Sequence, residues 1–114
     1  VSRILIVEDS DSIALLLKRR LEMAGHSTVR ASNGADALER LGRGERVDLV
    51  LLDETMPRLS GSEALGELRL VHPGLPVIMV TGTRPGPGSQ ELADAIVRKP
   101  IDFDQLLGLV ERLA

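Results

Sequence analysis

The sequence predicts a single α/β domain, a parallel sheet with helices packed on both faces. Three observations carry that prediction. Short apolar runs alternate with amphipathic helical stripes five times along the 114 residues. The segments between successive runs leave no room for hairpins, so neighbouring strands must run in the same direction. The hydrophobic residues, 43% of the chain, are almost all Leu, Val, Ile and Ala, and Phe103 is the sole aromatic, so the core must be aliphatic. By surface scaling a chain of this length buries about two-thirds of its surface on folding. That suffices for one core and not for two, so residues 1–114 are expected to form one domain.

Each element follows from its local pattern. Ile4-Leu5-Ile6-Val7 is a continuous, β-branched-rich run, as expected of a strand buried on both faces. Ile13, Leu16, Leu17, Leu21 and Ala24 then recur at helical spacing; Ser10 or Asp11 caps this helix and Gly25 stops it. Thr28-Val29-Arg30-Ala31 reads as a short edge strand. Asn33 offers the cap for a second helix carrying Ala35, Leu38 and Leu41, closed by Gly42 and Gly44. Leu49-Val50-Leu51-Leu52 is the next buried strand. Gly61, Ala64, Leu65 and Leu68 form a third helical stripe, which Pro73-Gly74 terminates, and Val77-Ile78-Met79-Val80 follows as a strand. Arg84-Pro85-Gly86-Pro87-Gly88 cannot be helical, which shortens the fourth helix to residues 89–95. Ile96-Val97 makes a short last strand, and Phe103, Leu106, Leu107 and Val110 mark the final helix.

Composition excludes several functions. The net charge is −3, with the cationic residues scattered, and one aromatic residue cannot build a base-stacking platform, so no direct nucleic-acid contact is expected. Without cysteine there is no disulfide, thiolate nucleophile or zinc–thiolate site. No apolar run approaches the ~20 residues of a membrane span and no secretory signal is visible. A cytoplasmic setting without a membrane partner is therefore expected. The chain starts at Val1 rather than Met, so it reads as a processed or excised segment.

The informative residues are those that follow the apolar runs. Val7 is followed by Glu8-Asp9, Leu52 by Asp53, Val80 by Thr81, and Val97-Arg98 by Lys99. In a parallel sheet these positions share the edge formed by the carboxyl ends of the strands, where open α/β sheets bind ligands. One polar residue after a strand is ordinarily a loop beginning; four endings of complementary chemistry point to a site. Clustered carboxylates repel unless a cation sits among them, and oxygen-only ligands suit Mg²⁺. A carboxylate beside Mg²⁺, an ammonium and a hydroxyl is suited to phosphoryl transfer. Lysine is scarce in this chain, only Lys18 and Lys99 among 14 cationic residues, and a compact ammonium is not replaced by a guanidinium. The remaining candidates have plain structural readings. His26 and His72 lie near helix ends, where the dipole explains them. Met56 is read as loop packing, Met79 and Phe103 as core, Gly61 as a close approach of the third helix, and Arg58 and Arg84 as either solvated or near a partner surface.

Taken in order, Ile4-Leu5-Ile6-Val7-Glu8-Asp9, Leu51-Leu52-Asp53, Met56-Pro57-x-x-x-Gly61, Val80-Thr81-Gly82 and Lys99-Pro100 resemble the receiver domain of two-component response regulators over essentially the whole chain. The resemblance implies a flavodoxin-like (βα)5 sheet of strand order 2-1-3-4-5. It implies that Asp53 is the phosphoacceptor, taking a phosphoryl group from the phosphohistidine of a sensor histidine kinase or phosphotransfer domain. It assigns Mg²⁺ to Asp9, Asp53, the Thr55 carbonyl and, through water, Glu8. It assigns Thr81 and Lys99 to the phosphoryl oxygens and implies a cis bond before Pro100. Thr81 and the residue at Ile96 would form the switch, and Ile96 stands where the family carries an aromatic. The segment after Thr81 is shorter than the family's and resembles receivers attached to hybrid sensor kinases. Output then passes to a downstream protein partner or a parent chain, and the domain itself is not a turnover enzyme. Two competing readings are a small Mg²⁺-dependent phosphatase using Asp53 and a receiver-like module that does not signal by phosphate.

Overall fold

The computed structural model describes residues 2–56, 59–82 and 89–114. Pro57, Arg58 and Arg84-Pro85-Gly86-Pro87-Gly88 lie outside the described residues. The chain alternates β1 (Arg3–Val7), α1 (Asp11–Met23), β2 (Ser27–Ala31), α2 (Gly34–Gly42), β3 (Leu49–Asp53), α3 (Gly61–Val71), β4 (Val77–Thr81), α4 (Ser89–Leu92), β5 (Ala95–Arg98) and α5 (Phe103–Leu113). All strand pairs are parallel, in the order β2-β1-β3-β4-β5.

The sheet separates two cores because successive side chains on a strand point to opposite faces. Leu5, Val7, Val50, Leu52, Val77 and Met79 meet Ala37 and Leu41 of α2 and Ala64, Leu65 and Leu68 of α3. Ile4, Ile6, Leu49, Leu51, Ile78 and Val97 meet Ala14, Leu17 and Leu21 of α1 and Leu106 and Val110 of α5. The continuous apolar runs of the sequence are thus strands covered on both sides. Phe103 is half-buried against the second core, with the Arg20 guanidinium 4.5 Å above its ring.

Helix ends follow local chemistry. The Ser10 hydroxyl accepts from Ile13 N–H, and Asn33 Oδ1 accepts from Asp36 N–H at 2.8 Å, capping α1 and α2 as expected. Gly25 and Gly44 end those helices with φ of 96° and 91°, a region that costs other residues strain. At the start of α3 a reciprocal capping box pairs Ser60 with Glu63, the Ser-x-x-Glu signature of a helix start.

Two expectations are corrected. The fourth helix, expected over residues 89–95, stops at Leu92, and β5 begins at Ala95. Asp94 N–H already donates to the Val77 carbonyl at 2.9 Å, and its carboxylate accepts from Val77 N–H at 2.8 Å and from Arg69 at 2.6 Å. Arg69 also takes the Leu92 carbonyl at 2.7 Å, so the chain is committed to the sheet by Asp94. His26, expected to serve only a helix dipole, is buried: Nδ1 accepts from Ser2 N–H at 3.3 Å, and Nε2 lies 3.1 Å from Glu111 Oε1.

Gly61 is where α3 touches the sheet. A Cβ there would lie 2.3 Å from the Asp53 carbonyl oxygen and 2.7 Å from the Glu54 Cα, both backbone atoms that cannot turn aside. Gly61→Ala is therefore expected to destabilise the domain by about 1–3 kcal/mol. Gly66, in the same helix with nothing within 4 Å of its Cβ position, is the control. Gly66→Ala is expected to stabilise by about 0.5–1 kcal/mol. Denaturant melts of both variants check the pair, and equal effects of the two substitutions would refute the close-approach argument.

Candidate functional site

Register brings the polar strand ends together. Val7 pairs with Leu52, so Glu8 and Asp53 come level where β1 and β3 end. Asp53 pairs with Val80 and Thr81 with Arg98, which places Thr81 and Lys99 at the same edge. Glu8 and Asp53 are buried at 2% and 4% exposure and Thr81 is fully buried, whereas Asp9 is exposed. Thr55 is exposed in the loop that follows β3, and the Lys99–Pro100 bond is cis. Ile96 is half-buried and packs against the α2–α3 core, next to Met79 in the register.

Charge is concentrated here. Lys99 Nζ lies 3.1 Å from Asp53 Oδ1 and 3.8 Å from Glu8 Oε1. Glu8, Asp9 and Asp53 each present a carboxylate oxygen within 4.8 Å of the others. One ammonium against three carboxylates leaves negative charge uncompensated in a partly desolvated place, which is costly without a further cation. An all-oxygen donor set of this kind fits a hard divalent ion that keeps some of its water, and Mg²⁺ is such an ion.

Glu54 follows the buried Asp53 and is itself buried, a role the sequence did not disclose. Its Oε1 accepts from Ser62 N–H at 3.0 Å, its Oε2 meets the Ser62 hydroxyl, and its carbonyl accepts from Gly61 N–H at 2.9 Å. Glu54 thus ties the end of β3 to the start of α3. A buried carboxylate bonded to a Ser eight residues away has no local pattern, so only the fold reveals it.

Burial, followed by the charge of Asp53, pushes the Glu8 carboxyl from its ordinary 4.5 up to about 7, against the opposing pull of Ser10 N–H and Lys99. The folded state therefore holds a proton that the unfolded chain has released, and this contribution to stability is lost as pH rises from 4.5 to about 7. In the presence of a chelator, Glu8→Gln is expected to raise Tm at pH 8 by on the order of 5 °C. The gain should shrink steadily as pH falls toward 5. Thermal melts across that range check the sign, and a pH-independent gain would show that Glu8 ionisation is not its source.

Comparison with known proteins gives a consistent result. The family model described as "Response regulator receiver domain" matches residues 4–111. The transcriptional regulatory protein GlrR of Escherichia coli (strain K12) is 35% identical over 114 residues, covering 96% of this chain and 26% of the relative. The sensor kinase CckA of Brucella abortus (strain 2308) is 34% identical over 115 residues, covering 96% of this chain and 12% of that protein. The chain thus spans a minor part of these relatives' length. Among solved structures, the response regulator TrrA of Thermotoga maritima, in complex with Mg²⁺–BeF, has a TM-score of 0.92 at 36% identity and full coverage of both chains. With this fold, this edge and these matches, the chain belongs to the receiver-domain family of two-component response regulators.

Proposed function

We propose that this chain is a phosphorylatable switch in which Asp53 accepts a phosphoryl group from the phosphohistidine of a sensor histidine kinase or phosphotransfer domain. The observation that carries the reading is the buried Asp53 carboxylate, paired with Lys99 at 3.1 Å and clustered with Glu8 and Asp9. A carboxylate oxygen of Asp53 forms the new bond to phosphorus, the phosphorus–nitrogen bond breaks, and the imidazole leaves. Lys99 and the Thr81 hydroxyl receive the negative charge of the phosphoryl oxygens. Asp9, Asp53, the Thr55 carbonyl and, through water, Glu8 would hold Mg²⁺, which would offset part of the negative charge at this edge.

The aspartyl phosphate adds about −1.5 to −2 charges to the edge, and Thr81 with the Ile96 position on β5 carries the response to the surface. The receiver domain as such is a signalling switch. We assign residues 1–114 as one receiver, working in the cytoplasm and passing its signal to a downstream protein or to a parent chain. GlrR is a transcriptional regulator and CckA a sensor kinase, so DNA contact or kinase activity would belong to such a parent. Among the described residues, no helix is long and apolar enough to cross a membrane.

The phosphatase reading calls for a second acid just after Asp53 in the chain, pointing inward to serve in general catalysis. Glu54 is the neighbour in sequence, and its carboxylate is directed to Ser62 at the start of α3, which weighs against it. The phosphate-independent module is disfavoured by the intact set of Glu8, Asp9, Asp53, Thr81 and Lys99.

Incubation with acetyl phosphate and Mg²⁺ is expected to label the wild type and not Asp53→Asn. Lys99→Met should slow labelling by on the order of 10²-fold. Equal labelling of Asp53→Asn would overturn the assignment, and multiple-turnover hydrolysis of a small phosphomonoester would favour the phosphatase instead.

A further inference from the structure

Arg30, near the end of β2, is level with Ile6 in the register and is not one of the charges placed at the site above. Its guanidinium nevertheless grips the acidic segment. Nε and Nη2 both donate to the Glu8 carbonyl oxygen, at 3.1 and 2.8 Å, while Nη1 donates to Asp11 Oδ1 at 2.6 Å. The fork spans Glu8-Asp9-Ser10-Asp11 from its first residue to its last, and that segment carries two of the three clustered carboxylates. The Glu8 carbonyl is the first beyond the end of β1 at Val7, where the chain must turn into α1. Within the turn, Ser10 N–H donates to Glu8 Oε2 at 3.3 Å, so the path of the backbone and the direction of the Glu8 side chain are set together. Asp11 is almost fully exposed and its ion pair contributes little; the bond to the carbonyl is the anchor.

We propose that Arg30 is a positioning residue for the metal site, its fork fixing the turn that aims Glu8 and Asp9 at the cation. This rests on the reading of Glu8, Asp9 and Asp53 as Mg²⁺ ligands. The effect is geometric, and its sign separates it from a charge effect. A cationic side chain near an acidic site repels a second cation, so charge alone predicts that removing Arg30 tightens Mg²⁺ binding. Loss of a clamp that orients the ligands predicts the opposite.

Mg²⁺ titration of the chain by calorimetry tests the proposal, with two variants. Arg30→Gln removes the charge and the fork; Arg30→Lys keeps the charge and loses the fork. Both are expected to weaken Mg²⁺ binding about tenfold or more, with the rate of acetyl-phosphate labelling restored toward wild type at saturating Mg²⁺. Amide spectra of the metal-free variants should show a native fold with the Ser10 and Asp11 resonances displaced. If wild type itself binds no Mg²⁺, the metal-site reading falls and the proposal with it. If wild type binds and Arg30→Gln binds equally or more tightly, the role of Arg30 alone is overturned. Wild-type affinity in Arg30→Lys, or unmoved Ser10 and Asp11 resonances in both variants, would likewise overturn it.

Discussion

Lys99 reaches Asp53 at 3.1 Å across the end of an intervening strand, and much of the structure is arranged so that this contact can exist. β5 is separated from β3 by β4, and two strand spacings amount to about 9.5 Å, a span that only a long side chain crosses. The Lys99 stem runs beside Gly82, whose Cβ position lies 3.7 Å from both Cβ and Cδ of the lysine. Lys99 N–H donates to the Thr81 carbonyl at 2.9 Å, so the residue that carries the ammonium is tied to the strand it crosses. A guanidinium at this position would bring a planar fork and a different reach, which accounts for a lysine here in a chain with twelve arginines and one other lysine, Lys18.

The acids around that ammonium impose the opposite constraint. Burying Glu8 beside Asp53 works against the folded state as soon as both ionise, and the aliphatic cores must hold the strands in register regardless. Both faces of the sheet contribute: β1 and β3 are buried from end to end, apart from Arg3 at the start of β1. Gly61 brings α3 to within contact of the Asp53 backbone, and Glu54 fastens the end of β3 to the same helix. The position of Asp53 is thereby fixed by packing and hydrogen bonds on its own strand and the next helix, while the charges that act on it arrive from the ends of β1 and β5.

What the sequence disclosed and what it withheld divide along the range of the interactions. Strand runs, the caps at Ser10 and Asn33 and the helix-ending glycines depend on neighbours a few residues away, and they are legible. The edge was legible as well, because a parallel sheet places every strand's carboxyl end on one side and Glu8, Asp9, Asp53, Thr81 and Lys99 each follow an apolar run. Contacts between distant segments were not. The early end of α4 depends on Arg69 and Val77 both donating to the Asp94 carboxylate; the burial of His26 depends on Ser2 and Glu111. Arg30, read as an ordinary strand residue, shows its function only when β2 lies beside β1.

The same distinction bears on how a signal would leave the edge. A β-branched side chain is stiff about its first torsion, so Ile96 has no long lever to swing between inward and outward positions as a ring does. It is half-buried against the α2–α3 core, and the segment before it is pinned to the end of α3 through Arg69, the Leu92 carbonyl and Asp94. Among the described residues, the contacts that hold the acidic cluster run through Lys99, Ser10, Asp53 and Arg30. On the proposed reading, a branched aliphatic side chain at Ile96 in place of a ring would change how a signal travels along β5, while the charges around Asp53 come from residues that the fold positions separately from Ile96.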